Sequence, residues 1–303
     1  MPDAQGQGEP STNTTTEATH QTCCMRNVCK HVRRLLIVFL GILLLVRLTG
    51  YAERLAFWPS RRAFETPSRY EDVWFTTSDG VKLHGWFMAA QGLAEGEKAP
   101  VVLHCHGNRG NVSKHDQFSS WLPSHGISVL VFDYRCYGRS DNTGPLDRHA
   151  LLVDANAALE YLLTRDDIDP DRIAAMGVSL GGAFALPLAA DRPEIKALVS
   201  LSTFSTWQGV ASDWVPILGP ILLGPGDDPI DHVAGLGDRP WLILHGDADK
   251  VINVRHASIL YEAGLAASVP VTRIIVPGAG HNDVLFVDPH AQQAVLKVLD
   301  EAF

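Results

Sequence analysis

Six short apolar segments, each followed by a stretch with helical periodicity, set the pattern of this 303-residue chain from residue 100 onward. Unbroken apolar runs of this length are typical of strands that are buried on both faces. Alternation of strand and helix at this spacing predicts an α/β fold, with a mostly parallel sheet and helices on both faces. The predicted strands are 101–105, 127–132, 173–178, 197–201, 241–244 and 272–276, and the predicted helices lie near 113–122, 147–164, 180–190, 254–265 and 289–302.

Two features depart from this alternation. The runs D-V-W-F-T-T and V-K-L-H-G-W-F flank an Asp-Gly turn and predict an N-terminal antiparallel hairpin. Residues 203–239 are apolar but rich in Pro and Gly, and they are too many for an ordinary connection, which predicts a short lid. Within that lid, Trp207 and Trp214 are candidates for contact with an apolar substrate, and packing of the lid onto the domain is an equally good interpretation.

The N-terminal part of the sequence divides the chain into three predicted regions. Residues 1–31 are polar and of low complexity, which predicts a disordered tail. The apolar run Leu35–Val46 has 12 residues and covers about 18 Å as a helix, against about 30 Å of bilayer hydrocarbon. A buried core helix and a signal peptide cleaved near residues 50–52 are alternatives, and we favour a membrane anchor over residues 32–52. The folded α/β domain would then occupy residues 53–303.

The charges around this run give a weak indication of topology. Arginines and lysines flank it on both sides, so the positive-inside rule barely discriminates. The pair Arg33–Arg34 next to the run favours an N-terminus inside and a domain on the non-cytoplasmic side. With a cytoplasmic N-terminus, Cys23, Cys24 and Cys29 are candidates for acylation, and unmodified thiols are the simpler alternative.

Composition excludes several classes of function. The formal net charge is −9, and no cluster of basic residues follows residue 62, so the sequence predicts no nucleic-acid partner. The 5 cysteines show neither the spacing of a zinc site nor that of a disulfide scaffold. We therefore expect neither a metal nor another cofactor.

The segment G-V-S-L-G-G places one serine between glycines, after a predicted strand and before a predicted helix. This context predicts that Ser179 stands on a sharp turn at the head of the sheet, where its hydroxyl can act as a nucleophile. An ordinary Gly/Ser turn is the alternative interpretation.

A serine nucleophile needs a base, and the base needs an acid that orients it. His281 follows one predicted strand and Asp249 another, so both lie at the same edge of the sheet as Ser179. The order Ser, Asp, His suits this architecture. Asp247 is an alternative acid, and Asp249 could instead cap the helix that follows it.

The run H-C-H-G-N-R-G-N ends a predicted strand and enters a helix. Such a turn can direct a backbone N–H at a substrate carbonyl oxygen, so we expect the N–H groups of Asn108 and Leu180 to form an oxyanion hole. Arg109 is an alternative donor, and His106 is expected to support the loop. A metal site built on His104 and His106 lacks an acidic partner and is disfavoured.

Taken together, H-C-H-G-N-R-G-N, F-D-Y-R-C-Y-G-R-S, G-V-S-L-G-G, H-G-D-A-D-K-V-I and G-H-N-D resemble the motifs of the α/β-hydrolase superfamily. F-W-P-S-R before the hairpin and H-G-N-x-G-N also resemble its small, N-terminally membrane-anchored branch. The resemblance covers residues 50–303 and implies a serine esterase or thioesterase with a domain similar to those called serine-aminopeptidase-like. The strand-end motif F-D-Y-R-C-Y-G-R-S is expected to form a structural turn beside the pocket.

Two cysteines differ from the pattern that the resemblance implies. Cys105 stands where an aromatic or aliphatic residue is usual, and Cys136 stands where a Gly is usual. Because the two strands are neighbours in this fold, we consider a disulfide between them in an oxidising compartment, and two buried free thiols as the alternative.

These features predict a cofactor-independent serine hydrolase that cleaves acyl esters or thioesters. Its expected partners are a small or lipid-like acyl substrate, an acylated protein, and a membrane contacted through residues 32–52. A peptidase or amidase with the same three residues is one alternative, with lid aspartates as partners for a substrate amine. A membrane-tethered binding module without catalysis is the other.

Overall fold

The computed structural model describes residues 14–303, and it describes side chains from residue 29 onward. The chain divides into two units, Met1–Thr49 and Gly50–Phe303. In the first unit, helix α1 (Thr14–Leu48) includes most of the predicted disordered tail, of which residues 1–13 lie outside the described residues. The apolar side chains of α1 between Val32 and Leu48 are largely exposed.

The described residues contain no helix that is both long enough and apolar enough to cross a membrane. The transmembrane helix predicted over residues 32–52 is therefore not supported. The helical run ends at Leu48, and a separate helix α2 (Tyr51–Ala56) begins after Gly50, whose φ is 67°.

An eight-stranded sheet forms the centre of the second unit. The strands in chain order are β1 (Glu71–Thr76), β2 (Lys82–Met88), β3 (Ala99–Cys105), β4 (Ser128–Asp133), β5 (Ile168–Val178), β6 (Ile195–Leu201), β7 (Trp241–Gly246) and β8 (Val271–Val276). Their order in the sheet is β1-β2-β4-β3-β5-β6-β7-β8. Pairing is antiparallel for β1–β2 and β2–β4 and parallel for all the others. The predicted hairpin and mostly parallel sheet are confirmed.

Helices cover both faces of the sheet, as the alternation predicts. Successive residues of β3 show this, since Leu103 belongs to one apolar core and Val102 to the other. The first core includes residues of α4 (Arg148–Leu163), α5 (Gly182–Asp191) and α8 (Arg255–Ala266). The second includes residues of α9 (Pro289–Ala302) and of the segment 112–127. Because both faces are covered, the ends of the parallel strands are where side chains can meet a ligand.

The predicted helix near 113–122 is shorter and broken. Helix α3 covers only Val112–His115, and 3-10 turns follow at Asp116–Phe118 and Leu122–His125. The side chain of Asn111 caps α3 by accepting a hydrogen bond from the N–H of Ser113.

The insert between β6 and β7 is helical. It contains α6 (Trp207–Trp214), α7 (Leu218–Leu223) and a 3-10 helix over Pro229–Leu236. The hydroxyl of Thr206 caps α6 by accepting from the N–H of Gly209. The insert is thus a folded element rather than a long loop.

The disulfide considered between Cys105 and Cys136 is wrong, because both residues are buried free thiols. Cys105 ends β3, and burial raises the pKa of its thiol to about 12. Cys136 lies in the turn after β4 with φ 69°, a conformation that Gly adopts more easily than any other residue. Arg135 in the same turn is buried and pairs with Asp79 at 2.7 Å and Asp154 at 2.8 Å, so this turn is structural.

Candidate active site

Ser179 occupies a tight turn between β5 and α5. Its φ is 53°, a left-handed conformation that is strained for a residue with a Cβ. Three glycines allow this turn because a Cβ on any of them would collide with a neighbour. Gly177 packs on Gly182, Gly181 packs on the carbonyl of Cys105, and Gly182 packs on the side chain of Thr203. Ser179 thus lies on a tight turn between a strand and a helix, with glycines at its points of closest packing.

Three side chains from distant parts of the chain form one hydrogen-bonded series. The Ser179 hydroxyl donates to Nε2 of His281 over 2.9 Å, and Nδ1 of His281 donates to Oδ2 of Asp249 over 2.7 Å. Ser179 follows β5, Asp249 follows β7 and His281 follows β8, so the parallel strands bring all three to the same edge of the sheet. A hydroxyl, an imidazole and a carboxylate are thus connected in series, an arrangement that is able to support nucleophilic catalysis.

The carboxylate of Asp249 is held on both oxygens. Oδ1 accepts from the N–H groups of Val251 at 2.8 Å and Ile252 at 3.0 Å. Oδ2 lies 3.2 Å from Nε2 of His245, in addition to its contact with His281. Burial raises the pKa of this carboxyl, but the hydrogen bonds from both histidines and from Ile252 outweigh burial, so its pKa lies below the usual value. The carboxylate is therefore charged at neutral pH, as the partner of a histidine base must be.

The alternative acid, Asp247, has a different contact. Its Oδ1 accepts from the N–H of Gly278 over 2.7 Å, and the side chain is exposed. Of the two aspartates in H-G-D-A-D, Asp249 is the one that contacts His281.

The loop after β3 lies directly beside Ser179. A Cβ placed on Gly107 would be 3.5 Å from Cβ of Ser179. The backbone N–H groups of Asn108 and Leu180 donate no hydrogen bond to other described residues, so both remain available for a ligand. The expected oxyanion donors thus border the site.

Buried imidazoles support this loop from within. Nδ1 of His106 donates to the carbonyl of Gly107 over 2.7 Å, and Nε2 of His115 donates to the carbonyl of Arg109 over 2.8 Å. The two rings stack with centroids 5.0 Å apart. Burial lowers the pKa of His106 to about 3 and also lowers that of His115, so both rings are neutral. The described residues hold no group of three or more His, Cys, Asp and Glu side chains arranged to bind a metal ion.

The two tryptophans of the insert have different surroundings in the structure. Trp207 is 3% exposed and belongs to the apolar core, where its ring contacts Phe57, Phe184 and Phe204. Trp214 is 54% exposed, and its indole N–H donates to the carbonyl of Val251 over 2.9 Å. Burial of Trp207 fits the packing interpretation, whereas Trp214 lies next to the loop that carries Asp249.

Comparison with known proteins agrees with this geometry. Residues 100–228 match the family model of the alpha/beta hydrolase fold. The uncharacterised protein YfhR of Salmonella typhi is 34% identical over 268 residues, which cover 83% of this chain and 88% of YfhR. The chain belongs to the α/β-hydrolase family. Another relative is the α/β-hydrolase domain-containing protein WAV2 of Arabidopsis thaliana, 30% identical over 82% of this chain and 85% of its own length.

A solved esterase has the same fold. The Pyrococcus furiosus esterase Pf2001 superposes with a TM-score of 0.69 over 81% of this chain and 98% of the esterase, at 20% identity. At that identity the likeness concerns the fold alone. For an α/β hydrolase, the expected site is the strand edge where Ser179, Asp249 and His281 meet.

Two features of the site were not predicted from the sequence. The contact of His245 with Asp249 could have been found, because His245 is the second-last residue of β7 and lies four residues before Asp249. The contacts between the loop after β3 and residues 56–62 span about 50 positions, and no periodicity or motif spacing reveals them.

Proposed function

We propose that this α/β hydrolase is a serine hydrolase that cleaves acyl esters or thioesters through an acyl-enzyme intermediate. One observation carries the proposal: the Ser179 hydroxyl, the His281 ring and the Asp249 carboxylate form a continuous hydrogen-bonded series of 2.9 and 2.7 Å. The strained φ of Ser179 adds support, because strain of this kind concentrates at functional positions.

Each group has a step in the proposed reaction. His281 Nε2 takes the proton as Ser179 Oγ attacks the acyl carbonyl, and Asp249 stabilises the resulting imidazolium. The N–H groups of Leu180 and Asn108 stabilise the tetrahedral oxyanion. His281 then returns the proton to the leaving alcohol or thiol, and a water molecule activated by His281 releases the acid and restores Ser179.

Labelling with a fluorophosphonate tests the nucleophile. The full chain should be labelled, and Ser179→Ala should abolish labelling and ester turnover. Ser202→Ala is a matched control, because Ser202 is also buried at the end of a strand with positive φ, 47°. If the folded protein is not labelled, the non-catalytic binding module becomes the better interpretation.

The partners of the lid aspartates favour an ester or thioester substrate over a peptide. Asp213 pairs with Arg255 at 2.5 Å and lies 3.3 Å from Nε2 of His256. Asp228 accepts from the N–H of Trp207 over 2.6 Å. Two of the carboxylates expected to bind a substrate amine are thus already engaged. Faster turnover of an aminoacyl anilide than of a nitrophenyl ester would favour the peptidase.

The surface of the insert suggests which class of acyl group the substrate carries. The insert presents exposed apolar side chains at Trp214, Val215, Ile217 and Ile221, which suit an apolar acyl chain. Turnover of esters and thioesters of graded chain length should rise with acyl length until the chain outgrows the site. Membrane association through residues 32–52, a non-cytoplasmic domain and an acylated protein as substrate stay predictions.

A further inference from the structure

A short segment after α2 runs beside the loop that follows β3. We call residues 56–60 the strap. Pro59 and Gly110 form a parallel β-bridge, and the N–H of Ser60 donates to the carbonyl of Gly110 over 3.1 Å. Nδ2 of Asn111 contacts the carbonyl of Ser60 at 3.3 Å. The strap is therefore joined to this loop by one isolated β-bridge and by hydrogen bonds on either side of it.

The side chain of Asn108 is the centre of these contacts. Its Nδ2 donates to the carbonyl of Ala56 over 2.6 Å, and its Oδ1 accepts from the N–H of Trp58 over 2.8 Å. Oδ1 also accepts from the Tyr137 hydroxyl at 2.9 Å and from the N–H of Arg109 at 3.0 Å. Both ends of one amide are thus bound to the strap, and Tyr137 fixes it from the protein interior.

The peptide group between Gly107 and Asn108 is oriented by these contacts. Its carbonyl accepts from Nδ1 of His106, and no peptide bond among the described residues is cis. In a trans peptide the N–H points away from the carbonyl, so the N–H of Asn108 points away from His106. His106 thus holds the carbonyl of this peptide, and the strap holds the side chain of the residue that carries its N–H.

The loop needs such restraint because it contains a strained residue. Arg109 has a φ of 63°, and a residue with a Cβ keeps this conformation only where its surroundings enforce it. The guanidinium of Arg109 lies 3.9 Å from the centroid of the Trp58 ring, which adds a cation–π contact with the strap.

We propose that the strap is a positioning element of the oxyanion hole, and that the side chain of Asn108 transmits its position to the N–H of the same residue. The inference rests on the proposed function and deepens it. It makes the rate of acyl transfer depend on a segment that contributes no side chain to the reacting atoms.

Substitutions in the full chain test this inference. Asn108→Leu keeps the size of the side chain but removes all four hydrogen bonds. Loss of one oxyanion donor typically costs about 10²–10³ in rate, so displacement of the Asn108 N–H should lower kcat by about 10–100-fold. KM should change by less than about twofold, because the interaction is made in the transition state.

A matched pair at Trp58 separates the backbone of the strap from its side chain. Trp58→Pro removes the N–H that donates a hydrogen bond to the Asn108 side chain. The backbone of Phe57 is already extended (φ −96°, ψ 131°), which is the conformation that a residue before Pro requires. Trp58→Ala keeps the N–H and removes only the indole. We expect the Pro variant to lose kcat in the same way as Asn108→Leu, and the Ala variant to lose less than about threefold.

Inhibition by an arylboronic acid provides a measurement that would not change if the strap and the Asn108 side chain had a purely structural role. The boronate forms a tetrahedral adduct with Ser179 that places an oxygen in the hole, so its Ki should rise by the factor by which kcat falls. The pH dependence of kcat/KM should be unchanged, because His281 is untouched. If either variant fails to fold, Tyr137→Phe removes a single donor to Asn108 and should lower kcat several-fold.

The outcomes separate this inference from the proposed function. Wild-type protein that neither reacts with fluorophosphonate nor turns over esters would refute the serine hydrolase. Wild-type protein that does both, with kcat in Asn108→Leu and Trp58→Pro within twofold of its own, would refute the strap alone. A loss confined to KM, or a boronate Ki that does not follow kcat, would also overturn the inference.

Discussion

At the scale of single residues, the surroundings of Asp249 explain why this carboxylate rather than Asp247 suits the role of the acid. It is fully buried, and two backbone N–H groups and two imidazoles lie around its oxygens. A buried charge is stable only when its hydrogen-bonding capacity is satisfied. Its position is therefore fixed before any substrate arrives.

Replacement of Asp249 by Asn should lower kcat by about 10⁴, because the amide favours the wrong tautomer of His281. Asp247→Asn should stay within a few-fold of wild type, since the Asp247 carboxylate accepts from the N–H of Gly278, whereas His281 contacts Asp249. Steady-state kinetics with a nitrophenyl ester measures both. Comparable losses in the two variants would show that the loop as a whole, rather than the Asp249 carboxylate, supports catalysis.

The backbone at Cys136 gives a prediction about stability. Because its φ is 69°, Cys136→Gly should be more stable than Cys136→Ala by about 1 kcal/mol. Cys105 is the control, since it lies in a strand, and there the Ala variant should be the more stable of the two. Chemical denaturation gives the four free energies of unfolding. The same order at both sites would mean that backbone strain at Cys136 is negligible.

At the scale of elements, the turn that carries Ser179 depends on close approach of two backbones. A Cβ on Gly181 would collide with the carbonyl of Cys105, which cannot move without displacing β3. Gly181→Ala should therefore abolish turnover and destabilise the fold by about 1–3 kcal/mol, a typical cost of overpacking.

Gly280→Ala is a suitable control for that substitution. A Cβ on Gly280 meets the side chain of Asp283 at 3.6 Å, an ordinary contact. Kinetics and thermal unfolding of the two variants should differ clearly. An active, stable Gly181→Ala protein would contradict the close packing of the turn on β3.

The elements that could be predicted from the sequence are those set by local pattern. Apolar runs predicted the strands. Because parallel strands end at one edge of a sheet, the sequence also predicted that Ser179, Asp249 and His281 lie at the same edge. The single helix predicted near 113–122 is wrong, because the apolar spacing of this segment suits a helix but the structure forms short helical turns there. The local pattern left two interpretations open for Trp207, because an apolar side chain in an insert packs inward or faces a ligand with the same local pattern, and in the structure Trp207 is buried.

At the scale of the whole molecule, buried neutral imidazoles make stability depend on pH. Burial lowers the pKa of His104 and of His106 to about 3, against about 6.5 in an unfolded chain. Below pH 6.5 the unfolded state therefore binds protons that the folded state excludes, so stability is complete above this pH and is lost as the pH falls toward 3.

The free energy of unfolding should accordingly decrease between pH 6.5 and 4.5, by up to about 1.4 kcal/mol per pH unit for each such ring. His104→Gln should flatten this dependence, since Gln can still contact the hydroxyl of Ser119 that His104 contacts at 2.9 Å. Denaturation at several pH values compares the two slopes. Equal slopes in wild type and variant would show that His104 takes up its proton in the folded protein.

The hydrogen bond from the Trp214 indole to the carbonyl of Val251 links the insert to the catalytic edge of the sheet. The N–H of the same Val251 binds Asp249, so only one residue separates the end of α6 from the carboxylate. A displacement of α6 that preserves the indole contact must therefore pull on Asp249. The insert that we propose to contact the acyl chain is thus connected through one residue to the proposed acid.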